Sequence, residues 1–146
     1  MKSNLRSDIR FFYESKVNLR DRSELKRFIE TLFKSEKRSL KSLNYIFCSD
    51  KRLLSINNQY LQHNFYTDII SFGLSGQGEP TEAEIYISID RVKENASDHK
   101  ETFTRELHRV IFHGALHLCG YRDKTKREKS IMRVKEDSYL NKYFRV

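Results

Sequence analysis

A chain of 146 residues with 38% hydrophobic and 33% charged content and a formal charge of +8 has room for one core, and no shift in composition marks a second, so residues 1–146 read as a single domain. No apolar run is long enough for a membrane span or a signal-peptide core, and two cysteines, Cys48 and Cys119, are too few for the disulfide framework of a small secreted domain. The expected setting is the cytoplasm, with both thiols reduced.

Ile9, Phe11 and Tyr13 alternate, which predicts a strand over 8–17. Asp21 or Ser23 then opens a helix whose Leu25, Phe28, Ile29, Leu32 and Phe33 fall on one apolar stripe. Leu43, Tyr45 and Phe47 alternate in a second strand, and Ser49 or Asp50 caps a second helix carrying Leu53, Leu54, Ile56 and Tyr60. TDIISF at 67–72 is rich in strand formers, and EIYISID at 84–90 alternates Ile85, Ile87 and Ile89 as a fourth strand. Between them GLSGQGEPTEA holds three of the five glycines and the only proline, and is the expected loop. A helix follows from about residue 99 to Cys119, and after Tyr121 a last helix forms around Ile131, Val134, Tyr139 and Leu140. The order βαβαββαα predicts an α+β fold in which one mixed sheet of about four strands is packed with helices.

The chemistry concentrates in HGALHLCGYRD, residues 113–123. Helical residues four apart lie about 40° apart in rotation, so His113 and His117 point the same way. Val110, Ile111, Phe112, Ala115, Leu116 and Leu118 cover most other directions, which implies burial. A buried imidazole needs partners for both ring nitrogens, and a divalent metal can serve two rings at once. Gly120 permits the left-handed conformation that ends a helix, and a reversal there brings Asp123 back toward the rings. Two histidines and an aspartate leave an open coordination position, the mark of a catalytic site. The spacing follows the metzincin pattern with a carboxylate in place of the usual third histidine. The competing reading is a pair of core histidines and an unrelated surface aspartate.

Cys119 lies about 200° around the helix from His117 and belongs to the core. His63 and His99 lack neighbours at ligand spacing, and His108 stands about 140° off the His113 face. Gly114 occupies the position where zinc peptidases carry their general-base glutamate, which disfavours peptide hydrolysis. A phosphodiester needs less help, because a metal can polarise the phosphoryl oxygen and activate a water. The charge distribution suits such a substrate. Residues 1–52 carry 14 Lys/Arg against 7 Asp/Glu, residues 53–100 carry 3 against 7, and residues 101–146 carry 11 against 6. Two basic flanks around an acidic middle fit either a polyanion-binding face or an ordinary solvated surface.

These residues resemble the bacterial YbeY family, zinc-dependent endoribonucleases of rRNA maturation. HGALHLCGY matches the family's His-Gly-x-Leu-His-Leu-x-Gly-Tyr segment, TDIISF and AEIYIS resemble its two characteristic strands, and Met132 with Glu136 fits the Met-x3-Glu of its last helix. The match runs from about residue 53 to 140. It implies a zincin-like fold, one Zn2+ held by His113, His117 and Asp123, and a basic cleft for single-stranded RNA. It further implies action at the 3′ end of 16S rRNA and in ribosome quality control, with the ribosome and a ribosomal protein as partners.

Two positions depart from the family pattern. Asp123 stands where most members have histidine, and Leu61 stands where many have arginine after the tyrosine matched by Tyr60. Another cation must then steady phosphate, and Arg105, Arg109, Arg122 and Lys124 are the candidates, each equally readable as surface charge. Asp68 either orients a ligand imidazole, serves as base, or satisfies a local turn. The alternative readings are a metallopeptidase, a ribosome assembly factor whose metal is purely structural, and a non-haem iron oxygenase, whose two-histidine, one-carboxylate set usually sits on a β scaffold.

Overall fold

A computed structural model describes residues 7–62 and 67–145. Strand β1 spans Asp8–Tyr13, helix α1 Arg22–Ser35, β2 Leu40–Cys48, α2 Asp50–Leu61, β3 Ile69–Gly73, β4 Thr81–Ser88, α3 Ile89–Asp98, α4 Phe103–Leu118 and α5 Lys126–Phe144. The strands form one mixed sheet in the order β1-β2-β4-β3. β1 and β4 run parallel to β2, and β3 runs antiparallel to β4. The parallel pair β1–β2 needs a crossover, which α1 supplies, while the β3–β4 hairpin needs only residues 74–80.

Side-chain alternation sends Leu43, Tyr45 and Phe47 of β2 and Ala83, Ile85 and Ile87 of β4 to one face, where they join Leu25, Ile29, Leu32 and Phe33 of α1 and Val110, Ile111, Ala115 and Leu116 of α4 in the main core. On the opposite face Cys48 and Ile70 pack under Leu53 and Ile56 of α2 in a smaller cluster. The sheet is therefore sandwiched between α2 on one side and the remaining helices on the other. Burying a Leu, Ile or Phe in this way contributes about 1.5–3 kcal/mol per side chain. Tyr45 ties the layers together, its hydroxyl donating to the Ile111 carbonyl at 2.9 Å.

Four sequence expectations change. The first strand stops at Tyr13, because the amides of Glu14 and Ser15 both turn to the Phe47 carbonyl, at 2.8 and 3.0 Å. The expected loop contracts to 74–80, since Gly73 ends β3 and Thr81 already pairs with Leu40. Ile89 does not extend β4: the Ser88 hydroxyl accepts from the Arg91 amide and starts α3, a ninth element, and Thr102 caps α4 afresh. The apolar face of α5 is Met132, Tyr139 and Leu140, whereas Ile131 and Val134 are exposed. Among the described residues no helix is long and apolar enough to cross a membrane.

Candidate metal centre

Helix α4 lies close against the sheet where Gly114 faces it. A Cβ built on Gly114 would stand 2.9 Å from Cδ1 of both Ile69 on β3 and Ile85 on β4. The absence of a side chain there lets the helix press onto the strands, and it leaves no room for the glutamate of a peptidase helix. The neighbouring His113 is half-buried beside the β3 edge.

His113 is held from two sides. Its Nδ1 donates to Oε2 of Glu136 on α5 at 2.6 Å, and its Nε2 lies 3.2 Å from Oδ2 of Asp123. A carboxylate only accepts, so Glu136 fixes the ring orientation and leaves Nε2 facing Asp123. Burial alone would lower the His113 pKa, but the hydrogen bond and charge of Glu136, joined by Asp123 and Asp68, outweigh it and raise the value above the ordinary histidine range. His117, one turn on, is exposed and donates from Nδ1 to the Tyr121 carbonyl at 3.0 Å, which likewise leaves Nε2 available. The reversal that delivers Asp123 is Gly120, at φ +105°, with its amide donating to the His117 carbonyl at 3.0 Å.

The donor set suits a divalent ion in kind, and one pair of it, His113 with Asp123, also in spacing. An imidazole nitrogen and a carboxylate oxygen sharing one tetrahedral ion at about 2.0–2.1 Å are about 3.3 Å apart, close to the 3.2 Å between His113 Nε2 and Asp123 Oδ2. Both imidazoles also show the outer-partner pattern of metal-ligating histidines, with the second nitrogen engaged by an oxygen. The structure brings His113 and Asp123 together but does not gather His117 with them: among the described residues no three His, Cys, Asp or Glu side chains stand close enough to hold an ion.

Asp68 precedes β3 on the same side. Burial raises its carboxyl pKa, partly countered by the His113 charge. Its backbone carbonyl accepts from the Ser88 amide at 2.9 Å.

Of the four candidate cations, Arg109 must be reassigned. It is 5% exposed, and its Nη1 binds Glu136 at 3.1 Å and Asp137 at 2.9 Å, so its charge is committed inside the protein. Arg105 is half-buried against Glu101 and Asn141. Arg122 and Lys124 flank Asp123 and are exposed, with Arg122 3.7 Å from Glu128. The remaining histidines stay outside the site. His99 is exposed, 4.0 Å from Glu106, and His108 is buried, its Nδ1 donating to the Thr104 carbonyl at 2.7 Å. His63 lies outside the described residues. Cys119 sits in the core, its thiol pushed up to about 12 by burial and the Glu36 charge. Leu61, at the end of α2, is exposed.

Sequence reasoning gave Glu136 no role at the site. The available signal was a carboxylate on a buried stripe: Met132, Tyr139 and Leu140 define the inward face of α5, and Glu136 shares it at 5% exposure. A buried carboxylate that accepts from both a histidine and an arginine is there to hold them.

An α+β sheet carries, on a helix packed against it, two imidazoles whose Nδ1 atoms are engaged and a carboxylate beside one of them, in a basic chain, an arrangement compatible with hydrolysis of an anionic substrate. Residues 11–144 match the family model of endoribonuclease YbeY. The chain is 50% identical over 133 residues to an endoribonuclease YbeY of Cytophaga hutchinsonii, covering 90% of this chain and 93% of that one. It is 46% identical over 132 residues to that of Flavobacterium psychrophilum, covering 90% and 94%. The solution structure of TM1509 from Thermotoga maritima superposes with a TM-score of 0.61 at 27% identity, covering 93% of this chain and 89% of that one. The chain belongs to the YbeY family of endoribonucleases, hydrolases that act on RNA.

Proposed function

We propose that this endoribonuclease is metal-dependent, that it cuts single-stranded RNA, and that its work is rRNA maturation at the 3′ end of 16S rRNA and ribosome quality control in the cytoplasm, alongside a ribosomal protein. The observation that carries the reading is the pairing of His113 Nε2 with Asp123 at 3.2 Å while Glu136 engages the opposite ring nitrogen. His113, His117 and Asp123 would hold one Zn2+, His117 closing from its position one turn away. The ion would supply Lewis-acid polarisation of the phosphoryl oxygen and an acidified water.

The protein's own groups do the rest. Glu136 keeps the His113 proton on Nδ1, so that Nε2 is the donor nitrogen, and the Tyr121 carbonyl does the same for His117. Arg109 neutralises Glu136 within the fold. Arg122 and Lys124, on the turn that carries Asp123, face solvent where a phosphate backbone would approach, and Arg105, about two turns before His113 on α4, offers part of its charge. Asp68, protonated more readily than an ordinary carboxyl because it is buried, is the candidate for holding a proton during cleavage.

The test is cleavage of a labelled single-stranded RNA by wild type and by Asp123→Ala, with and without chelator. Chelation and the substitution should each abolish cleavage while the fold persists by circular dichroism. Equal rates with and without chelator would overturn the metal reading.

A further inference from the structure

Glu36, the residue that ends α1, is far in sequence from the metal centre and carries no motif. Its side chain is nevertheless 12% exposed and gathers three donors from two other elements. The Tyr121 hydroxyl donates to Oε1 at 2.8 Å, the Tyr139 hydroxyl to Oε2 at 2.5 Å, and Lys135 Nζ stands 3.4 Å from Oε2. Lys135 also lies 5.6 Å over the Tyr121 ring. Burial alone would raise the Glu36 pKa, but the bonds from Tyr139 and Tyr121 and the Lys135 charge hold it below the usual carboxylate range.

Desolvating a carboxylate is costly, and an apolar side chain would fill the same space more cheaply. What a carboxylate adds is direction: it fixes two phenol oxygens that belong to different segments. One belongs to Tyr121, the residue whose carbonyl accepts from His117 Nδ1 at 3.0 Å and whose amide donates to Leu116 at 3.1 Å. Asp123 follows two residues later on the same reversal.

We propose that Glu36 is a positioning residue for the metal centre: by clamping the Tyr121 hydroxyl it fixes the turn that sets the His117 ring and presents Asp123. The inference rests on the metal reading above. Tyr139 shares the carboxylate but belongs to α5 and not to the reversal that carries Tyr121 and Asp123, so it supplies the control.

The experiment is a Co2+ titration of metal-free full-length protein, read by visible absorption, together with thermal unfolding. Tyr121→Phe and Glu36→Ala should weaken Co2+ binding by about tenfold or more, the range seen for outer partners of metal ligands. Glu36→Gln, which keeps an acceptor for Tyr121, should stay within about threefold, and Tyr139→Phe within about twofold even where it lowers the melting temperature. Unchanged Co2+ affinity in Tyr121→Phe and Glu36→Ala overturns the inference, as does an equal loss in Tyr139→Phe, which would mark general destabilisation. Wild type that takes up no Co2+ would remove the metal reading itself and the inference with it.

Discussion

Glu136 Oε2 and His113 Nδ1 are 2.6 Å apart, and the second oxygen of the same carboxylate lies 3.1 Å from Arg109 Nη1. One buried carboxylate thus serves a histidine of the site and a buried arginine at once, locking α5 to α4 at the level of the chemistry. Glu136→Ala leaves the Arg109 guanidinium with the half-exposed Asp137 at 2.9 Å and the buried Glu106 at 3.8 Å. The expected loss is about 3–5 kcal/mol by urea denaturation, the usual cost of breaking a buried pair from one side. Glu136→Gln should lose less, because its amide oxygen can still accept from one of the two donors. A Glu136→Ala protein as stable as wild type would mean that Arg109 has another way to be satisfied.

Gly114 yields a prediction of opposite character, since nothing polar is involved. Gly114→Ala gains about 1 kcal/mol of helix propensity, but its methyl meets Ile69 and Ile85 at 2.9 Å in the seam between α4 and the sheet. Overpacking of that kind costs about 1–3 kcal/mol, so the net expectation is a loss of about 1 kcal/mol in chemical denaturation. Gly114→Glu would place an unpartnered carboxylate in the same seam and should yield insoluble protein. If Gly114→Ala were more stable than wild type, the seam could open freely, and the glycine would have to be explained otherwise.

The periodicities in the sequence were sufficient to place the four strands and α1, α2 and α4, most cleanly in α1, where Leu25, Ile29, Leu32 and Phe33 are all buried; in α2 only Leu53 and Ile56 of the expected stripe are buried, and Tyr60 is exposed. They failed where a local signal competes with a longer one. Ser88 both ends an alternating strand and caps a helix, so Ile89 reads as strand and Val92 and Ala96 are left unassigned although the three form the buried stripe of α3. In α5 the inward face mixes Met132 and Tyr139 with Glu136, and the apolar Ile131 and Val134 drew the stripe to the wrong side. At the site, helix spacing and Gly120 were enough to bring Asp123 to His113. Charge alone could not separate Arg122, which is exposed, from Arg109, which is buried, because both are arginines within a few residues of His113 or Asp123; only the facing carboxylates of α5 distinguish them. Glu36 was invisible for the same reason, since its partners come from residues 85 and 103 positions away.

His108 predicts an acid sensitivity. Its ring packs against Tyr143 at 5.2 Å, Phe144 at 5.1 Å and Phe112 at 6.1 Å, and burial there lowers its pKa, against the smaller upward pull of the Thr104 carbonyl. A depressed histidine favours the neutral form in the fold. Its contribution is complete above the unfolded value of about 6.5 and is lost as pH falls from there through the folded pKa. His108→Gln should therefore show a shallower loss of stability than wild type between about pH 7 and pH 5. Subtracting the two profiles removes the opposite contribution of His113, whose pKa is raised. Parallel profiles would show that His108 is not what titrates.

The exposed cations and the buried one should separate cleanly in RNA binding. Each phosphate contact to a single strand contributes about 0.7 to the slope of log K against log salt. Arg122→Ala with Lys124→Ala removes two side chains that face solvent on either side of Asp123, and should reduce that slope by about 1.4 and weaken binding at low salt. Arg109→Lys keeps the charge count but exchanges a guanidinium held by Glu136 and Asp137 for a single ammonium. It should lower stability and leave the salt slope where it was. The measurement is fluorescence anisotropy of a labelled single-stranded RNA across a salt series in the Asp123→Ala background with chelator present, where cleavage is expected to be absent. A slope that falls with Arg109→Lys and stays fixed in the double variant would place the RNA against α4 and α5 instead of along the turn after Gly120.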